Sequence, residues 1–263
     1  MASDGAWTPE QVVRGALAGG LDILALADHD TTSGVEKAVR AASGTRLRVI
    51  PATELSSTFG NHEIHILGYF VDPSAPALER HHRRAVQLRR DRLAAMVGRL
   101  RDDGVEIEMD AVMEAAGEGH EMLARPHLAR AMVAAGLVTS VPEAFDLHLG
   151  NHCPAFVPTA LQSPLEAVDV VLRSGGIPVW AHPPFDLLDS LLSDLVSAGL
   201  RGLEVFRPST SRRGEERLRA VARAASLVMS GGSDWHDPER SDPLGAFYVT
   251  GRDIQALLDL RGL

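Results

Sequence analysis

The sequence predicts an α/β protein: a body of alternating strands and helices around a parallel, barrel-type sheet, interrupted by a helical insertion. Three observations carry this. Short aliphatic or β-branched runs alternate with helix-length amphipathic stretches, the pattern of a parallel sheet, open or closed into a barrel. Titratable residues follow one strand-like run after another, where α/β active sites gather. From about residue 73 to 158 the alternation stops and only helical signal remains. A chain of 263 residues can hold one large α/β domain carrying such an insertion.

In chain order, strands are expected at 21–27, 47–51, 63–70, 177–181, 202–206, 227–230 and 246–250. Helix starts are readable between them. Thr8-Pro9-Glu10 offers an N-cap followed by proline at the first helical position. Ser163-Pro164-Leu165-Glu166 repeats the arrangement and adds a capping-box glutamate. In the insertion, Val86, Leu93, Val97 and Leu100 fall on one helical face and Arg83, Arg84, Arg90 and Arg101 on the other. Interleaved acids favour a solvated face for those arginines over a nucleic-acid contact. Further helices are expected at 110–116, 126–135 and 141–149. The division that follows is 1–72 and 159–263 for the two parts of the barrel, and 73–158 for the helical insertion.

Composition narrows the function. With 26 Lys+Arg against 35 Asp+Glu the formal charge is -9, a poor match to extensive duplex DNA, though compatible with one phosphate held locally. The lone cysteine, Cys153 in "NHCPAF", excludes an intrachain disulfide. It reads as a packed thiol rather than a nucleophile. No apolar run approaches the ~20 residues of a membrane helix, and "MASDGAWTPEQ" lacks the layout of a signal peptide. A cytoplasmic setting without membrane association is the expectation.

The stretch "GGLDILALADHDTTSG" runs an aliphatic strand into Asp28-His29-Asp30, groups that are costly to desolvate unless paired. The other predicted strands repeat the theme. Glu54 follows the second, His182-Pro183 the fourth, and Ser233-Asp234-Trp235-His236 the sixth. In "EIHILGY", alternation sends Glu63, His65 and Leu67 to one side. Imidazoles and carboxylates gathered on one face are mixed N/O ligands suited to Zn, Mn or Fe. Without cations such a cluster would repel itself and shift its pKa values. Two metals roughly 3.5–4 Å apart would serve a phosphoryl transfer. Read singly, His182 or His65 could be a structural histidine and Asp4 a turn residue.

The order "SDG…P…ADHD…ATELS…HEIHILGY…RPHLARAMV…WAHP…GLEV…GGSDWH" resembles the polymerase and histidinol phosphatase (PHP) family of metal-dependent phosphoesterases. It looks closest to the stand-alone bacterial branch acting on nucleoside monophosphates, 3′,5′-nucleotide bisphosphates or oligoribonucleotide 5′ ends. The resemblance implies a distorted (β/α)7 barrel and two or three divalent ions (Mn, Zn or Fe). The implied ligands are Asp4, His29, Glu54, His65, His182, Asp234 and His236. Asp28 and Asp30 would orient ligands or water. Arg125 and His127 of "RPHLA" would face the substrate phosphate, as would Arg207 of "EVFRPS", where many relatives carry histidine. The implied activity is hydrolysis of phosphate monoesters by metal-activated water, on a small nucleotide or short RNA. Histidinol phosphatase is the alternative within the family, and a non-catalytic metal- or nucleotide-binding module the alternative outside it. The family opens with a strand ending in His-x-His just before "SDG", whereas this sequence opens at Met1-Ala2-Ser3-Asp4-Gly5. The first strand is therefore expected to be truncated, through a start codon placed too late or an incomplete site.

Overall fold

The computed structural model describes residues 3, 5–117, 122–158, 161–239 and 241–262. The chain forms two compact units, one of Met1–His81 with Gln162–Leu263 and one of His82–Leu161.

The first unit is the α/β body. Helix α1 (Pro9–Ala18) starts as its sequence requires, with Thr8 and Gln11 exchanging side chain-to-backbone hydrogen bonds in a capping box. Strand β1 (Ile23–Leu26), helix α2 (Val35–Ala42), strand β2 (Arg48–Phe59) and strand β3 (His62–Tyr69) follow. Helix α3 (Pro76–Asp102) leads out of this unit. After the helices of the second unit, α4 (Met109–Ala116), α5 (Arg125–Ala134) and α6 (Val141–Ala144), the alternation resumes. It runs α7 (Pro164–Arg173), β4 (Ile177–Trp180), α8 (Leu188–Ala198), β5 (Gly202–Phe206), α9 (Arg212–Ala224), β6 (Val228–Gly231) and α10 (Gly251–Asp259). Helix α7 carries the Ser163/Glu166 capping box read from sequence.

The six strands form one sheet in the order β1-β2-β3-β4-β5-β6, curled into an open half-barrel. The expectation of an all-parallel sheet needs correction: β3 is antiparallel to both β2 and β4, while β1–β2, β4–β5 and β5–β6 are parallel. The cause is a hairpin. Strand β2 does not stop at residue 51 but runs on to Phe59, and a two-residue turn, Gly60-Asn61, returns the chain from Phe59 to His62. Gly60 sits at φ +59, which a two-residue hairpin turn asks of its first central residue. The strand expected at 246–250 is also corrected, since that stretch pairs with nothing among the described residues. The backbones of Gly19 and Gly245 approach so closely that a Cβ on either would collide with the other loop. Beyond that contact Thr250 already caps α10 through Asp253.

Alternation along β2 and β3 builds two apolar layers. Leu55, Ile64 and Ile66 join Trp180, Leu191 and Leu203 under α7, α8 and α9. On the other face Ile50, Ala52, Leu67 and Tyr69 meet Leu257 and Leu258 of α10. Each such aliphatic side chain contributes about 1.5–3 kcal/mol by leaving water. The inward face also carries the polar residues at issue, because Glu54 pairs in register with Leu67 and His65 with Ser56.

The second unit packs Leu93, Met96, Leu100, Leu128, Met132 and Leu149 into its own core. Arg83, Arg84, Arg90 and Arg101 lie exposed. Cys153 is buried, its Sγ directed at the carbonyls of Phe145 and Asp146. Among the described residues no helix is long and apolar enough to cross a membrane.

Candidate metal centre

Four elements bring their polar residues to one place. Past the end of β1 the chain keeps step with β2 through a bridge between His29 and Glu54. The Glu54 N–H donates to the Asp28 carbonyl and the Asp30 N–H to the Glu54 carbonyl, at 3.0 and 2.9 Å. On the inward face Glu54 and His65 are diagonal neighbours of the β2–β3 ladder, close enough for long side chains to meet. The Ala181 N–H donates to the His65 carbonyl, continuing the β3–β4 pairing. Strict alternation would then send His182 to the opposite face. Instead His182 takes φ +29, and its ring turns to join His65.

The resulting cluster is tight. Glu54 Oε1 lies 2.8 Å from His65 Nδ1 and 3.1 Å from His182 Nε2, and the two imidazole nitrogens are 3.0 Å apart. His29 stacks edge-on to His65 with ring centroids 4.9 Å apart, and the His236 ring is 5.9 Å from that of His29. His29, Glu54 and His65 each offer one ligand atom, all within 4.8 Å of one another. His29 and Glu54 line a cavity of about 590 Å³, which His182, Glu204, Asp234 and His236 also border.

Electrostatics in the cluster are far from those of isolated groups. Burial alone would raise the Glu54 pKa, yet the charge of His29 and the hydrogen bonds of His182 and His65 hold it well below the usual carboxylate range. Burial disfavours a charged His65, but Glu54 and Glu63 outweigh it and raise its pKa to about 10. Glu204, inside the fully buried strand β5, is pushed up to about 7 by burial, against the pull of the His182 N–H and Arg207.

The other sequence-selected residues fall as follows. Asp28 Oδ1 accepts from the Ser3 N–H and hydroxyl. Buried Asp30 accepts from the Ser56 N–H and from His81. Asp234 follows β6 in the left-handed region, φ +53, and His236 Nδ1 lies 2.8 Å from the Asp234 carbonyl. If Nδ1 donates in that contact, Nε2 is the nitrogen that would face a cation. Arg207 stands between Glu204 Oε2 and Asp234 Oδ2, 3.6 Å from each. Asp4 lies outside the described residues. Arg125 and His127 belong to the helical unit. There Arg125 bonds Asn151 Oδ1 and the Leu149 carbonyl between the rings of Phe145 and Phe156. His127 Nδ1 accepts the Ala124 N–H at the start of α5.

Two buried residues escaped the sequence reading. Glu204 carries a signal, a carboxylate within the apolar run "GLEVF". His81, in "ERHHRR", carries none that separates it from the exposed basic face beside it.

The donor set fits a divalent cation. His29 Nδ1 is buried and meets no hydrogen-bond partner among the described residues, an expensive state for an imidazole nitrogen unless something else binds it. Two imidazoles and a carboxylate lying within 3.1 Å of one another can share one cation. Mixed N/O donors suit Zn, Mn or Fe. Three residues here, Asp30, His182 and Asp234, hold positive φ without being glycine, strain of a kind that collects at functional sites.

Comparison with known proteins follows the same line. The chain is 33% identical over 263 residues to the 3′,5′-nucleoside bisphosphate phosphatase of Chromobacterium violaceum, covering 98% of this chain and 89% of that one. It is 33% identical over 244 residues to the 5′-3′ exoribonuclease Rnm of Escherichia coli, covering 90% and 83%. The crystal structure of a metal-dependent phosphoesterase from Bifidobacterium adolescentis superposes with a TM-score of 0.85 at 31% identity, over 99% of this chain and 93% of that one. No protein-family model matches the sequence.

Proposed function

Because the chain belongs to the PHP-like metal-dependent phosphoesterases, hydrolases of phosphate-bearing small molecules, we propose that it cleaves phosphate monoesters of small nucleotides. AMP, 3′,5′-nucleotide bisphosphates and the 5′ ends of short oligoribonucleotides are the substrates this reading selects. The observation that carries it is the convergence of His29, Glu54, His65 and His182 on one point. The relatives that act on a nucleoside bisphosphate and on RNA ends support the substrate class.

In this reading His29, Glu54 and His65 hold one cation, and His182 with the same Glu54 begins a second donor set, with Asp234 and His236 nearby. The ions would be two or three, of Mn, Zn or Fe. When bound, they supply Lewis-acid polarisation of phosphate oxygens and a water acidic enough to attack at neutral pH. The chain's own residues do the rest. Glu54 neutralises the imidazoles around it and fixes their ring orientations. Asp28 and Asp30 brace the turn that carries His29. Arg207, held between Glu204 and Asp234, contributes the phosphate contact within this unit. A guanidinium matches phosphate oxygens two at a time. Arg125 and His127 are proposed as further phosphate contacts.

The test is turnover by purified protein stripped with EDTA, reloaded with Mn²⁺, and offered AMP, 3′-phosphoadenosine 5′-phosphate and histidinol phosphate. Activity on the nucleotides that vanishes on stripping and returns with Mn²⁺ is expected. Preference for histidinol phosphate would overturn the substrate class. Nucleotide binding without turnover of any ester would overturn the enzymatic reading.

A further inference from the structure

We propose that His81, at the start of α3, is a positioning residue of the metal centre, acting through Asp30. This rests on the metal-centre reading above and adds a residue to it.

The geometry is a short chain of contacts. His81 Nε2 lies 2.8 Å from Asp30 Oδ1, and both side chains are buried, 5% and 0% exposed. The same Oδ1 accepts the Ser56 N–H at 2.8 Å. Asp30 is therefore gripped from α3 and from β2 at once. Its backbone is in the left-handed region, φ +55, a conformation that disfavours side chains larger than glycine and persists only where the surroundings impose it. In that conformation the Asp30 N–H donates to the Glu54 carbonyl at 2.9 Å. His29 is the preceding residue and bridges Glu54 across the strands. Thr53, wholly buried, ties the same turn from below by donating to the carbonyls of Asp28 and Thr31, 3.2 Å each.

The ligand candidate His29 thus hangs on one strained turn bonded to the Glu54 backbone, and His81 is the grip on that turn supplied by a helix rather than by the sheet. Removing its N–H leaves a buried carboxylate short of a donor. The turn then relaxes toward ordinary φ, displacing His29 from Glu54. Partners that orient ligands typically govern metal affinity by 10–100-fold.

A merely structural histidine would cost stability without altering the metal, so the test reads the metal itself. Co²⁺ binding, followed by its visible ligand-field spectrum, is measured on the full chain and on variants at His81. Gln places an amide N–H near the Nε2 position and Asn near Nδ1, so His81→Gln should bind within about threefold of wild type and His81→Asn or His81→Leu should weaken binding 10–100-fold. The spectra of the weakened variants should change with the affinity. In an Asp30→Asn background, His81→Leu should add little further loss. Equal affinity and an unchanged spectrum for folded Gln and Asn variants would overturn the proposal, and so would full Co²⁺ affinity in folded His81→Leu. If His81→Leu does not fold, the Gln–Asn pair decides alone. A wild-type chain that binds no Co²⁺ would sink the metal-centre reading itself, a result distinguishable from the failure of His81.

Discussion

Metal binding should displace a proton from His65, and the structure sets the size of the effect. In the metal-free protein Glu54 and Glu63 raise the His65 pKa to about 10, so at pH 7 the ring is protonated and cannot donate its lone pairs. Each pH unit below about 10 then lowers apparent affinity about tenfold, amounting at pH 7 to about 10³-fold or about 4 kcal/mol. Between about pH 6 and 8.5 affinity should climb by two to three orders of magnitude. Calorimetric titration with Mn²⁺ in buffers of different ionisation enthalpy should report about one proton released per ion bound at pH 7. Glu54→Gln removes the charge and the acceptor that hold the proton. It should weaken binding overall and also flatten the pH dependence above the ordinary imidazole pKa of about 6.5. Affinity independent of pH from 7 to 9 in the wild type, or binding without proton release, would refute the electrostatic account of this cluster.

Three other predictions are independent of that experiment. In the metal-free protein Glu204 titrates at about 7 instead of 4.5, so the folded state binds the extra proton and stability falls as pH rises from 4.5 to 7. The loss is on the order of 3 kcal/mol, and urea denaturation of Glu204→Gln should lack it. Leu191→Ala, in the wholly buried layer under the sheet, should cost about 2–5 kcal/mol by the same measurement, and a loss under 1 kcal/mol would mean that layer is not packed as described. Gly60→Ala meets no steric obstacle but must adopt φ +59. It should cost about 1–2 kcal/mol and leave Co²⁺ affinity unchanged, since the hairpin tip holds no ligand.

Where hydrophobic runs were unbroken, the sequence announced the fold. Strand β5 matches its predicted span of 202–206, and β1, β3, β4 and β6 shift by one or two residues at one or both ends. The capped starts of α1 and α7 were legible because proline and the capping-box pairs have few other uses. The expected strand at 47–51 ends where the aliphatic run ends, before the polar Thr53, Glu54, Ser56 and Ser57. In the fold all four are buried, satisfied by ladder partners and by each other's neighbours. That misreading also hid the hairpin, and with it the antiparallel middle of the sheet. Conversely, 246–250 has the composition of a strand but pairs with neither edge strand of the open sheet, β1 or β6.

The site was legible for a different reason. A parallel segment delivers the residue after its strand to one rim of the sheet, so Asp28-His29-Asp30, His182 and Asp234 could be grouped without knowing any distance. What sequence order could not supply was the backbone exception at each of these corners. Asp30, His182 and Asp234 all depart from extended geometry into positive φ, and a period-two reading sends His182 to the wrong face. The ligand candidates therefore divide in kind. Glu54 and His65 are placed by regular ladder register, which hydrophobic burial over-determines. His29 and His182 are placed by single strained residues, which only local contacts maintain. Substitutions that loosen those contacts, at Asp30 and His81 for the His29 turn or at Glu204 for His182, should erode metal binding before they erode stability. Substitutions in the cores flanking β2 and β3 should do the reverse.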